Sequence, residues 1–165
     1  MDFENINIED IKIENSIKKS FDIKYNNKSI EFLSPVLYAP FGLERKYNDY
    51  FLNLQCLDYK KLIVIENFLQ FLNNIEKKIM NLLDINHTQF NSQLRFNRNY
   101  DPIIYTKLIY KNKFITEAFK NNNYLNIFDL DEKFYCKCLL VIDKIWEKNG
   151  KFYYKIKLKK IYIIE

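Results

Sequence analysis

Any metal or covalent chemistry in this chain would have to rest on one histidine, three cysteines and a short run of acids. His87 stands alone in "DINHTQF", so neither a histidine-based metal site nor a nucleophile-base triad can be assembled around it. Cys136 and Cys138 are two apart, a spacing that on a strand points both thiols to one face, where sheet packing accounts for them better than a metal does. With Cys56 they form an odd set without zinc-finger spacing, and all three read as reduced thiols of an intracellular protein. Asp129, Asp131 and Glu132 in "FDLDEK" lack the glycine and closing glutamate of a calcium loop and read as a solvated turn. The only glycines are Gly42 and Gly150, so there is no glycine-rich phosphate loop. These readings predict a protein that is not an enzyme and uses no metal and no cofactor.

The residues that do combine into a chemical pattern lie near the end, in "CLLVIDKIWEKNGKFYYKIKLKK". Asn149-Gly150 suits a two-residue type I′ turn, because both central positions need positive φ. That turn sets a register in which Trp146 opposes Tyr153 and Lys144 opposes Lys155. One face then carries Trp146, Tyr153, Lys144, Lys155, Ile142, Lys157, Leu140 and Lys159. The other carries Ile145, Tyr154, Asp143, Ile156, Val141 and Leu158, an apolar set that reads as core. A directly opposed lysine pair costs tenths of a kcal/mol up to about 1 kcal/mol. A face that accepts this cost and mixes lysines with flat rings suits a ligand that is both anionic and aromatic. Single-stranded nucleic acid is such a ligand, its phosphates met by lysines and its bases by stacking rings. The competing readings are a solvated outer face with a tryptophan at the sheet edge, and a register shift at a bulge that turns the rings inward.

Arg95, Arg98 and Lys107 extend the candidate basic surface, with Tyr105 on the same strand face as Lys107. Arginine is used only three times in the chain, and its planar fork favours phosphates and stacked rings. The net charge is +5, unevenly spread. Residues 133–160 hold nine lysines against two acids, whereas residues 1–14 hold five acids against one lysine. Those first 14 residues read as a mobile acidic arm on a single domain spanning 1–165. They do not resemble a basic-then-apolar signal peptide, and no apolar run approaches the ~20 residues of a membrane span.

The elements that must position this surface are mostly strands. "KSFDIKY" and "KSIEFL" alternate around the Asn26-Asn27 turn, and "YFLNLQCL" alternates Leu52, Leu54 and Cys56 on one side. Between them "SPVLYAPFGLERKYND", with two prolines and a glycine, reads as irregular. Ile65, Phe68, Leu69, Leu72, Ile75, Ile79, Leu82 and Leu83 trace one apolar stripe, which predicts a long amphipathic helix over about 64–84. Strands "QLRFNR", "IIYTKLIY" and "KFITEAF" follow, then a polar loop "NNNYLNIFDLDEK" and the terminal hairpin. The order predicts a mainly β (α+β) fold, a small OB-like antiparallel barrel with the helix inserted between strands.

This order, the "SPVLYAPFGL" segment and the closing "V-x-x-IW … NGKFYYKIKLKKIYI" hairpin resemble single-stranded-DNA-binding-like proteins of large nucleocytoplasmic DNA viruses, of the phage type. The resemblance covers roughly residues 20–164. It implies an OB-fold barrel that coats single strands during viral replication, with the faces around Trp146, Tyr153, Lys155 and Arg95 as the binding surface. Proteins of that type typically end in an acidic tail, whereas this sequence ends "IYIIE" with Glu165 as its only acid there. That departure keeps open a structural or assembly role as a minor virion component, with "PVLYAPFGLERKYNDYF" as the protein-contacting segment. A transcription or processing cofactor acting on RNA is a further alternative. The expected partners are single-stranded nucleic acid, viral replication or virion proteins and a second copy of the chain, with no membrane. The expected location is the cytoplasm or viral factory of an infected cell, or the virion.

Overall fold

The structure is a computed structural model that describes residues 1–165. Before the helix lie β1 (Lys12–Asn15), β2 (Ser20–Lys24), β3 (Ile30–Leu33), β4 (Leu37–Ala39), β5 (Leu43–Lys46) and β6 (Asp49–Gln55). Helix α1 (Ile63–Leu83) follows, then β7 (Phe90–Asn91), β8 (Leu94–Arg95), β9 (Ile103–Leu108), β10 (Glu117–Lys120) and β11 (Asn123–Leu125). The chain closes with β12 (Phe134–Ile142), β13 (Lys144–Lys148), β14 (Lys151–Tyr154) and β15 (Ile156–Ile164).

Alternation on the long strands dictates how they close. Leu52 and Leu54 on β6, Ile104 and Leu108 on β9, Cys136, Cys138 and Leu140 on β12, and Ile156 and Leu158 on β15 are all buried. Their neighbours in sequence lie on the opposite face, which is mostly more exposed, though Ile103 and Val141 are covered too, so each strand has one apolar face to hide. Rolling the strands into a ring hides all of them: β4 pairs with β6, β6 with β9, β9 with β15, β15 with β12, and β12 with β4. This is the OB-like barrel the sequence predicts, with one correction: it is not antiparallel throughout, since β9 and β15 pair in parallel. A second sheet, ordered β1-β2-β13-β14-β7, stands beside it. The terminal hairpin belongs to both, its base (β12 and β15) in the barrel and its tip (β13 and β14) in the second sheet.

The helix runs Ile63–Leu83 and buries the expected stripe from Ile65 to Ile79. Phe71 and Glu76 are buried with it, whereas Leu82, at the helix end, is exposed. No helix is long and apolar enough to cross a membrane.

Three expectations need correction. Residues 1–14 are no free arm, because 3₁₀ turns over Phe3–Asn5 and Ile8–Asp10 turn Phe3, Ile6 and Ile11 into the core. The Phe3 ring lies 5.1 Å from Phe68 and 5.5 Å from Phe71, and the acids face outward, Glu9 to Lys78 at 3.4 Å and Glu14 to Lys24 at 3.0 Å. The "SPVLYAPFGLERKYND" stretch is not irregular throughout: it holds β4 and β5, with Pro35 ahead of β4 and Pro40 and Gly42 between the two strands. The polar loop after β10 contains β11 and a 3₁₀ turn over Ile127–Asp129.

Gly42 makes the tightest backbone approach in this region. Its φ is +64°, and a Cβ there would meet the Leu130 carbonyl oxygen at 2.6 Å and the Asp131 carbonyl carbon at 2.8 Å. Gly150, at φ +79°, has open space around it. Gly42→Ala is therefore expected to lose more than about 2 kcal/mol by urea unfolding and Gly150→Ala only about 1 kcal/mol. Equal losses would contradict the close packing at Gly42.

Candidate nucleic-acid interface

The hairpin tip has the register its turn dictates. Asn149 and Gly150 both have positive φ, and Trp146 pairs with Tyr153, Ile145 with Tyr154 and Lys148 with Lys151. The Trp146 and Tyr153 rings lie 6.0 Å apart at 21°, stacked on the outer face, while Ile145 and Tyr154 are fully buried behind them. Pairing then continues sideways, Trp146 to Ser20 on β2 and Tyr153 to Asn91 on β7, so the row Ser20–Trp146–Tyr153–Asn91 crosses the second sheet.

Below the tip the expected register fails. Asp143 and Lys155 lie between strands, at the point where the hairpin leaves one sheet for the other. Lys144 pairs with Asp22 rather than with Lys155, so the predicted opposed lysines never meet. Their place is taken by Lys148 and Lys151, both exposed, which oppose each other beside the turn. In the barrel, Val141 pairs with Lys157 and Leu140 with Leu158, one residue out of the extrapolated register, and a bulge between Leu139 and Leu140 corrects the slip. Leu140 and Ile142, expected on the lysine face, are fully buried as a result. A one-residue slip exchanges the faces, and the buried face of the barrel selects the slip that hides leucine and isoleucine.

The break at Lys155 builds the site. Freed from the ladder, Lys155 turns into a groove of about 270 Å³ between the barrel and the second sheet. Phe51 and Asn53 from β6, Tyr105 from β9 and Gln93 and Arg95 from the β7–β8 region line it, together with Asn91 from β7 and Glu44 and Lys46 from β5. The Lys155 Nζ sits 5.8 Å from the centre of the Phe51 ring, and the Arg95 guanidinium carbon 5.2 Å from that of Tyr105. Asn91 also pairs with Tyr153, and Lys155 is two residues beyond Tyr153. The Trp146–Tyr153 platform thus runs directly into the groove.

Charge in the groove is unbalanced. Lys107 is neutralised by Asp49 at 3.2 Å and Lys157 by Asp143 at 2.9 Å. Glu44 is engaged by the Asn53 amide at 3.1 Å. Lys46, Arg95 and Lys155 take part in no ion pair. Burial holds the Lys155 ammonium below its ordinary pKa, and Lys107, Arg95 and Lys46 press in the same direction against the opposing pull of Asp49. Glu44 keeps its charge, since its amide donor is neutral, so the groove holds three cations in no ion pair against one carboxylate, a net positive excess.

Helix α1 fixes the groove wall. Glu76, only 4% exposed, accepts hydrogen bonds from the Ser92 hydroxyl at 2.6 Å, the Gln93 N–H at 3.0 Å and the Tyr154 hydroxyl at 2.5 Å. Burial, and then the nearby Glu76 carboxylate, hold the Tyr154 hydroxyl well above its usual pKa, so it stays protonated and donates. The anchored Ser92 in turn accepts from Arg95 Nη1 through its carbonyl at 2.6 Å, which aims the guanidinium along the wall.

Of the residues expected in the site, Arg95, Tyr105 and Lys155 meet in the groove, and Trp146 and Tyr153 adjoin it. Lys144 is exposed on the same face as Trp146, while Lys107 and Lys157 pair with each other across β9 and β15 and are spent on their acids. Arg98 lies apart, in the loop after β8. The residues missed were Phe51, Asn53, Lys46, Asn91 and Gln93. For Phe51 and Asn53 the signal was present: they alternate with Leu52 and Leu54, so a strand that buries the leucines must present them outward.

A closed barrel with a helix between its strands places the chain in the class of OB-like folds. Within it the chain is similar to a single-stranded DNA-binding protein from bacteriophage Enc34, solved in complex with ssDNA, with TM-score 0.56 and 10% identity over 95% of this chain and 96% of that one. A C-terminal truncation of the same phage protein gives TM-score 0.57 and 11% identity over 95% of this chain and 94% of the other. No family model matches the chain and no curated protein sequence matches it. The likeness shows the fold; the proteins that carry it here are from phages, and it gives no support to the expected attribution to large nucleocytoplasmic DNA viruses.

Proposed function

We propose that this chain is a non-catalytic single-stranded-DNA-binding protein whose ligand lies across the Trp146–Tyr153 platform and down the groove between Phe51, Tyr105, Arg95 and Lys155. The carrying observation is the convergence there of three cations outside any ion pair, against the single carboxylate of Glu44, on flat rings that two different sheets supply. Stacking needs bases that are free of a complementary strand, so the rings favour a single strand over a duplex, and each stacked base is worth about 1–3 kcal/mol. The shared fold with a phage protein solved with ssDNA supports the reading. Coating of displaced strands during viral replication is the biological setting we assign, on the strength of the sequence resemblance.

Trp146 is the only tryptophan and is about one-third exposed, so it reports on its own site. Titrating the protein with a single-stranded oligonucleotide is expected to quench its fluorescence saturably, and Trp146→Ala to weaken binding by about tenfold or more, read by anisotropy. Emission unchanged at saturating strand would remove the platform from the site.

A further inference from the structure

Beyond Arg95 the chain leaves the groove as a loop over residues 96–102, and this loop forms one wall of a separate cleft of about 530 Å³. Tyr59 and Lys60, between β6 and the helix, face it from the other wall. Phe96 is 63% exposed and Tyr100 48%, large rings presented to water in one short segment. Their loop is nonetheless pinned. The Asp101 carboxylate accepts from the Asp58 N–H at 2.9 Å, the Pro102 carbonyl from the Cys56 N–H at 2.8 Å, and the Asn97 side chain from the Asn99 N–H at 2.8 Å. Asp101, the only acid of the cleft, is thereby committed to backbone. Arg98 and Lys60 have no ion pair. The cleft thus repeats the groove's chemistry, rings and unpaired cations, at the point where a strand passing Arg95 would emerge.

We infer that this cleft is a second subsite for the same single strand, in which Phe96, Tyr100 and Tyr59 take one or two bases and Arg98 and Lys60 their phosphates. The inference rests on the groove reading and extends its footprint around the end of the barrel. Large exposed rings beside unpaired cations suit a strand that brings flat bases together with phosphates, which an acidic protein segment would match only in charge.

The test is affinity against oligonucleotide length, from about 4 to about 16 nucleotides of single-stranded DNA, for wild type and for Phe96→Ala/Tyr100→Ala. Longer strands gain statistical registers equally in both proteins, so the difference between the two curves isolates the subsite. The two are expected to coincide on the shortest strand that binds and to separate at greater lengths, with the variant levelling off one or two nucleotides earlier and about tenfold or more weaker. Arg98→Ala, which removes no packed side chain, is expected to make the salt dependence shallower by about 0.7 in log–log slope on long strands only. Superimposed curves at every length would overturn the subsite and leave the groove standing. An equal loss at every length would also overturn it, by making the rings supports of the fold. Failure of the wild type to bind any length would reject the groove reading and this inference with it.

Discussion

Arg95→Ala combined with Lys155→Ala is expected to weaken single-strand binding by about 100-fold at moderate salt, since each charge-assisted contact to phosphate is worth roughly 1.5 kcal/mol or more. The log–log salt dependence should become shallower by about 1.4, the share of two phosphate contacts on a single strand. The same variant should unfold at an unchanged or slightly higher urea concentration. Lys155 is held in the groove against burial and against Lys107, Arg95 and Lys46, so the free protein gains nothing from its charge. Arg95, exposed, donates only to the backbone carbonyls of Ser92 and Leu94. Binding lost together with stability would mean that these residues hold the fold, and binding retained would move the ligand elsewhere.

Glu76→Leu is expected to destabilise the protein by roughly 3–9 kcal/mol, because the Tyr154 hydroxyl, the Ser92 hydroxyl and the Gln93 N–H all lose their acceptor at about 1–3 kcal/mol each. That is a large part of the ~5–15 kcal/mol that keeps a domain folded. Glu76→Gln should lose much less. An amide oxygen can accept from Tyr154 and Gln93, which share one oxygen of Glu76, while the amide nitrogen donates to the Ser92 hydroxyl. Urea midpoints of the two variants check this, and a leucine variant as stable as wild type would show that the network contributes nothing. The glutamine variant should keep near wild-type affinity, because the Ser92 carbonyl that aims Arg95 stays in place.

Much of the barrel was legible in the sequence because its cause is local. Alternation in "YFLNLQCL", "IIYTKLIY" and the terminal hairpin marks strands with one apolar face, and Asn149-Gly150 fixes the tip. What the sequence hid was non-local. The hairpin reads as one continuous ladder, yet it divides at Asp143 and Lys155 because β2 claims one half and the barrel the other. That division lies in the pairing of residues more than a hundred positions apart, such as Lys144 with Asp22. It released Lys155 into the groove, a role no pattern around Lys155 announces. Glu76 was equally hidden, since a glutamate on a helix reads as solvated unless its buried partners, Tyr154 among them, are known. The acidic start misled for the opposite reason: its charge is conspicuous, while Phe3, Ile6 and Ile11 that pin it are spaced between the acids.

The most direct test of the central claim is anisotropy with a labelled single strand of about 30 nucleotides beside the matching duplex, across a salt series, with the wild-type protein. The groove and platform predict clear preference for the single strand, with affinity falling steeply as salt rises and some preference surviving at high salt, where stacking remains. Equal, weak binding to both forms that vanishes with salt would contradict the account. It would leave only the +5 net charge acting, and assign the ring-bearing surface to contacts with protein.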